Sequence, residues 1–281
     1  MRKKMAITNI VDFISELKKI PQDKDYEYFF RGHSDIDFEL KPSIYRQRFI
    51  RNEDKIFKEI ILRTPNDFAN EKTALEKLVK MQHYGLPTRI LDLTKNPLVA
   101  LYFATKEIPK KNGEVIVFRI PKSDVKFYDS DTVSILSNIA KRPIEFGIDD
   151  IRSISNIEEF NEQEQIAYLL HEIKEEKPYF LSIINKRDIE RVIAVKVKMN
   201  NNRILKQNGS FLIFGINGTK KNPAIIPDKW ILNLDLKGID FKIDANSKES
   251  IQNDLDTLGF NESTLFPELD NQATYLKRLY K

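Results

Sequence analysis

The chain has 281 residues, 41% of them apolar and 31% charged, with 46 Lys and Arg against 42 Asp and Glu, three His and no Cys. That length allows one large domain or two small ones at roughly 150 residues per domain. The missing Cys excludes disulfides, thiolate catalysis, Cys-based zinc sites and iron–sulfur clusters, and three His without an HExxH spacing argue against zinc.

Any chemistry therefore has to come from carboxylates, amides, hydroxyls, Arg, Lys, Tyr or a lone His. No run of about 18 apolar residues is available for a membrane span. The basic start MRKKMAITNIVDFISELKK lacks the apolar core and cleavage site of a signal peptide, so a cytoplasmic chain without a membrane partner is expected. A net charge of +4 permits a nucleic-acid partner without requiring one.

The pattern Ile7, Ile10, Val11, Phe13, Ile14, Leu17 predicts a first amphipathic helix, stopped by Pro21. Tyr26, Tyr28, Phe29 and Phe30 read as a strand that ends at the polar turn Arg31-Gly32-His33-Ser34. Two helices are expected next, over Tyr45–Leu62 and Asn66–Met81. A loop dense in polar and turn residues, Gln82 to Arg89, then leads into Ile90-Leu91-Asp92-Leu93-Thr94. Asn96 and Pro97 are a helix N-cap and first position, and Leu98 to Ala104 is apolar all round, so that helix is expected to be buried.

Glu114–Ile120 and Val192–Lys198 have the β-branched content of strands. Helices are expected at Val133–Ala140 and Glu158–His171. The Asn208-Gly209 dipeptide inside Arg203–Gly215 predicts a hairpin. Trp230–Leu236 is a further expected strand, Ser247–Leu258 a helix ended by Gly259, and Ala273–Leu279 a terminal helix. With no internal repeat or obvious linker, the pattern predicts a single α+β domain over 1–281, a mostly antiparallel β core with surrounding helices, with the helices of 41–81 as a candidate small lobe.

Gln82 to Thr94 is the richest stretch, because Gly85 and Pro87 stiffen a loop that carries His83, Tyr84, Thr88, Arg89 and leads to Asp92 and Thr94. Polar groups on such a loop are preorganised for a ligand; equally, they can satisfy helix-end amides and pair Arg89 with Asp92. Arg31 can aim its fork at a phosphate or carboxylate, with Gly32 allowing close approach, or can close an internal salt bridge. Gln207 can bond a sugar hydroxyl or serve the turn beside it, and as an amide it is no general base. There is no GxxxxGK[ST], GxGxxG or GxSxG motif, so P-loop, Rossmann and α/β-hydrolase chemistries lack their signatures.

Phe30-Arg31-Gly32, the run Gln82-His83-Tyr84-Gly85-Leu86-Pro87-Thr88-Arg89-Ile90-Leu91-Asp92-Leu93-Thr94, and Asn96-Pro97-Leu98-Val99-Ala100-Leu101-Tyr102-Phe103-Ala104 closely resemble the FRG domain family, named for its Phe-Arg-Gly signature. The likeness continues through Arg203-Ile204, Gln207, Gly209 and Phe211 into Leu265–Asp270, and departs at Leu93, where the family often has Trp.

The layout is similar to that of the ADP-ribosyltransferase superfamily. On that analogy NAD is the substrate, no metal is needed, and the chain is an effector, a toxin or antiphage protein, acting on nucleic acid or protein. The resemblance implies that Arg31, Gly32 and Arg89 meet the NAD phosphates or ribose, that Tyr84 or Tyr102 packs on nicotinamide, and that Gln207 holds the ribose. His83 and Asp92 are the candidates to activate an acceptor. Breaking the nicotinamide–ribose bond asks for positioning, desolvation and a polar group at the ribose more than for a nucleophile or metal. The other readings are a non-catalytic nucleic-acid or nucleotide-binding module, with Arg31 and Arg89 on phosphates, and a rigid brace in which the motif only stabilises the fold.

Overall fold

Period-two burial builds a sheet whose strands follow one another, edge to edge, as β4, β5, β6, β2, β1, β3 and β9 in a computed structural model that describes residues 6–108, 110–232 and 241–280. The strands are β1 (Tyr26–His33), β2 (Ile90–Thr94), β3 (Gly113–Pro121), β4 (Val125–Phe127), β5 (Val192–Lys196), β6 (Gly209–Phe214) and β9 (Lys242–Ile243); β7 (Ile216–Asn217) and β8 (Thr219–Pro223) form a separate hairpin. Among the described strands, only β4 and β5 pair in parallel. The fold is α+β with a mostly antiparallel sheet, as the sequence predicts.

The two central strands scarcely pair. β1 is matched to β3 from Tyr26↔Pro121 to His33↔Glu114, and β2 to β6 from Ile90↔Ile213 to Thr94↔Gly209. Between β1 and β2 the register holds only Phe30↔Thr94. The sheet is thus two ladders hinged at one point, and they part beyond it.

Side chains alternate between the faces of a strand. Phe29, Leu91, Leu93, Phe118, Leu212 and Phe214 share one cluster with Trp230. The residues of opposite parity divide into two. Ile90, Ile193, Phe211 and Ile213 pack beneath helices α2 (Glu53–Arg63), α3 (Ala74–His83), α5 (Asp131–Asn138) and α6 (Glu164–Glu176). Phe30, Val115 and Val117 pack beneath α4 (Pro97–Thr105) and α8 (Lys248–Thr257). Phe57, Phe68, Leu75, Leu78 and Met81 of the 41–81 segment lie in the first of these clusters, with the sheet residues. The division between the two clusters falls where β1 and β2 part.

Local chemistry explains the element ends. Asn96 caps α4 by accepting from the Leu98 amide, with Pro97 as the first helical residue. Thr73 and Glu76 form a capping box that starts α3, which divides the expected 66–81 helix into Pro65–Phe68 and α3. The expected 45–62 helix begins only at Glu53, because Gln47 and Arg48 have φ of 48° and 64° and break it into short turns. Gln163 is extended and splits the expected 158–171 helix into Ile157–Glu162 and α6.

The expected 203–215 hairpin is corrected. Residues Asn202–Gln207 form a helix, α7, and Asn208, with φ 47°, is its left-handed cap before β6. Trp230 ends a short turn and Ile231 bridges Phe118, while most of the expected 230–236 strand lies outside the described residues. The terminal helix is α9 (Leu269–Leu279). No helix among the described residues is long and apolar enough to cross a membrane.

Candidate functional site

Arg31 lies at the parting of the two ladders. Its Nη1 donates to the main-chain carbonyl of Asp92 at 2.7 Å, and its Nε donates to His33 Nε2 at 3.1 Å. The Asp92 carboxylate is 3.9 Å away. Because His33 Nε2 accepts, the neutral ring carries its proton on Nδ1, toward Glu114 Oε1 at 3.5 Å. Burial pushes the His33 pKa below its ordinary value; the nearby Arg31 and Arg46 add to that, and Glu114 opposes it.

A cavity of about 140 Å³ opens beside this contact, lined among others by Arg31, Asp92, Thr94, Phe103, Arg203 and Gln207. A smaller one of about 70 Å³ adjoins it and shares Asp92, Leu93, Arg203 and Gln207, adding Gln82, His83 and Ser210. Together they form one cleft. The Asp92 side chain is 56% exposed, yet it is held: Gln82 Nε2 donates to Asp92 Oδ2 at 2.8 Å. Gln82 Oε1 in turn accepts from Thr88 Oγ1 at 2.6 Å, and the Thr88 amide donates to Ser43 Oγ. The polar loop thus orients the carboxylate from behind.

α7 supplies the opposite wall. Arg203 and Gln207 are four residues apart and so project from one face of this helix. Gln207 Nε2 donates to the Leu265 carbonyl at 3.0 Å, and the Gln207 main-chain carbonyl accepts from Thr94 Oγ1 at 2.6 Å. The Arg203 guanidinium sits 4.7 Å from the Phe266 ring centroid, with one donation to the His83 carbonyl at 3.3 Å. Among the described residues no carboxylate lies within ion-pair distance of it.

Of the residues singled out from the sequence, Arg31, Gly32, Asp92 and Gln207 line the larger cavity, and His83, Asp92 and Gln207 the smaller one. His83 is engaged at both nitrogens, with Glu268 Oε1 at 2.5 Å and Asn201 Nδ2 at 2.8 Å. Burial lowers its pKa, helped by Arg203 and opposed by Glu268. Tyr84 stacks on the His83 ring, with centroids 4.9 Å apart, and is 71% exposed.

Arg89 and Tyr102 line neither cavity. Arg89 has no exposed surface; its fork grips both carboxylate oxygens of Glu53, and Nη1 donates to the Phe214 carbonyl at 3.0 Å, so it forms an internal pair rather than part of the cleft wall. Tyr102 is buried against Phe103 and Phe266, which raises its hydroxyl pKa above the ordinary phenol value. Gly32 does allow a close approach, but by α4: a Cβ there would lie 2.0 Å from the Ala100 carbonyl oxygen.

Gln82, Asn201, Arg203 and Ser210 are polar cleft groups to which sequence reasoning gave no role, and Glu268, which holds His83, is a further residue it did not single out. The four-residue spacing of Arg203 and Gln207 was the available signal, and the hairpin reading hid it. Among the described residues no cluster of His, Asp and Glu is arranged to hold a metal ion.

Residues 26–113 match the FRG domain. The matched stretch runs from β1 to the first residue of β3, and takes in Arg31, Gly32, the Gln82–Thr94 segment and α4. Arg203 and Gln207, the other wall of the cleft, lie beyond the FRG match. No curated protein and no solved structure matches the chain.

Proposed function

We propose that the cleft binds a phosphate-bearing nucleotide of the NAD class, breaks its nicotinamide–ribose bond and passes the ADP-ribosyl group to an acceptor. One observation supports this reading: Arg31, Asp92, Arg203 and Gln207 line a single cavity in which, among the described residues, Arg203 has no carboxylate partner. A guanidinium backed by an aromatic ring and left without an acid suits a pyrophosphate, whose oxygens match its fork.

The bond electrons leave with nicotinamide, which departs neutral and needs no general acid. Positive charge grows on the ribose, and the Asp92 carboxylate, held by Gln82 and shared by both cavities, is the group that stabilises it. The Gln207 amide oxygen accepts from a ribose hydroxyl while its nitrogen stays bound to Leu265. The acceptor then forms the new bond to the ribose carbon and gives up its proton, with Asp92 as the receiving base. A cavity of about 140 Å³ holds one ring-sized part of the nucleotide, well short of the roughly 300 Å³ a larger ligand fills. The remainder lies along the adjoining cavity and the surface.

A second reading, nucleotide binding without turnover, is favoured by one feature: both His83 nitrogens are already engaged, which leaves no free imidazole in the cleft. Calorimetric titration with NAD, paired with chromatographic detection of nicotinamide, separates the two. Glycosyl transfer requires binding that is lost in Arg203→Ala and nicotinamide release that is lost in Asp92→Asn. Binding without release establishes the second reading, and no binding at millimolar NAD removes both.

A further inference from the structure

On the far side of His83 from the cleft, α3 and the chain between β5 and α7 enclose a cavity of about 220 Å³. Its floor is apolar, formed by Leu75, Val79, Val197 and Ile204, and two tyrosines, Tyr84 and Tyr128, stand at its rim. Both rings are partly open to solvent, and Tyr84 is already stacked face to face on His83. Val79, His83, Asn201 and Ile204 also line the cleft, so the two spaces share a wall.

Charge in this pocket is balanced. Lys198 pairs with Glu76 at 2.8 Å, and Lys80 with Glu71 Oε1 at 3.1 Å. A balanced pocket with an apolar floor and aromatic rim favours a neutral planar ring over a phosphate. One polar atom is left over: Glu71 Oε2 is buried and has no hydrogen-bond partner. The Glu71 side chain is 18% exposed, and a turn of its carboxylate brings this oxygen to the pocket, where an N–H group of a ligand relieves the desolvation penalty of an unpartnered oxygen.

From these features we infer that the pocket seats a nucleobase bearing an exocyclic amino group, stacked at Tyr84 and donating to Glu71. A carboxylate accepts well from the amino group of cytosine, whereas uracil presents a carbonyl at the same place. Given the shared wall, the base belongs to the acceptor of the transfer. That role rests on the nucleotide reading of the cleft; occupancy of the pocket does not.

The test is calorimetric titration of the full chain with cytidine and, separately, uridine, which carry no phosphate to draw them into the cleft. Cytidine should bind about tenfold more tightly than uridine, the worth of one charge-assisted hydrogen bond. Glu71→Gln should bring the two affinities together, and Tyr84→Ala, at an exposed position that the fold does not need, should weaken both about tenfold. Arg203→Ala should leave cytidine binding intact while NAD binding is lost. Equal affinity for the two nucleosides in the unaltered protein, or no cytidine binding at all, overturns the pocket assignment. Retained cytidine binding with no NAD binding overturns only the cleft reading.

Discussion

The guanidinium of Arg31 donates to the main-chain carbonyl of Asp92 across the point where β1 and β2 stop pairing, replacing a ladder hydrogen bond with a side-chain one. The same fork donates through Nε to Nε2 of buried His33. Arg31→Lys keeps the charge, but an ammonium on a flexible stem does not span both acceptors in one plane. It should lose about 1–3 kcal/mol of stability, the cost of leaving a buried polar group unsatisfied, and most of the NAD affinity. Urea denaturation of the two proteins checks the first; an unchanged midpoint would show that the contact is not stabilising.

Arg89 illustrates a different outcome for a motif arginine. It shares Glu53 with Lys220, whose Nζ is 3.0 Å from Glu53 Oε2, and all three side chains are buried. Burial works to raise the Glu53 pKa, yet Arg89 and Lys220 outweigh it and hold the carboxylate below 4.5. Arg89→Ala strands a buried carboxylate with one cation, so it should destabilise the fold by roughly 3–5 kcal/mol. Because Arg89 lies outside the cleft, NAD affinity measured on the folded fraction should not change. A stable Arg89→Ala protein with lost NAD binding would instead make Arg89 a ligand group.

Much of the scaffold was legible because its signals are local. The Asn96-Pro97 cap, the aromatic β1 and the apolar α4 need only a few neighbouring residues to specify them. Asn208-Gly209 was misread because a positive φ serves both a tight hairpin turn and a helix cap, and the dipeptide alone does not choose. Glu53 carries no local signal within the expected 45–62 helix; that it meets Arg89, 36 positions away, is a tertiary fact. The same holds for the cleft. Arg31, Asp92 and Gln207 were each identifiable, but their convergence depends on β1 and β2 parting, which no local pattern encodes.

Acid should loosen the molecule well before its carboxylates titrate. His33 is almost wholly buried, and its folded pKa is depressed below 6.5, chiefly by burial. His83 is depressed as well, again chiefly by burial. A histidine held neutral in the folded state binds its proton more readily when unfolded. Its contribution is therefore fully present above about pH 6.5 and is lost as the pH falls through the folded pKa. The denaturation midpoint should be flat from pH 8 to 7 and decline below about 6.5. His33→Gln should flatten part of that decline; an identical pH profile in the variant would assign the loss to other groups.

Two glycines seat the helix that covers the cleft. A Cβ at Gly32 would lie 2.0 Å from the Ala100 carbonyl oxygen and 2.6 Å from the Ala104 amide, and one at Gly113 would lie 2.2 Å from the Ala104 carbonyl oxygen. These are backbone atoms of α4, which do not rotate out of the way as a side chain does. Gly32→Ala must therefore displace α4 as a body, at a cost of about 1–3 kcal/mol for overpacking. Val99, Ala100 and Phe103 of α4 line the larger cavity, so the displacement also alters the site. Gly32→Ala should lower both the denaturation midpoint and the NAD affinity of the folded protein, although residue 32 supplies no ligand group of its own. Loss of affinity at full stability would show instead that a ligand approaches the Gly32 backbone directly.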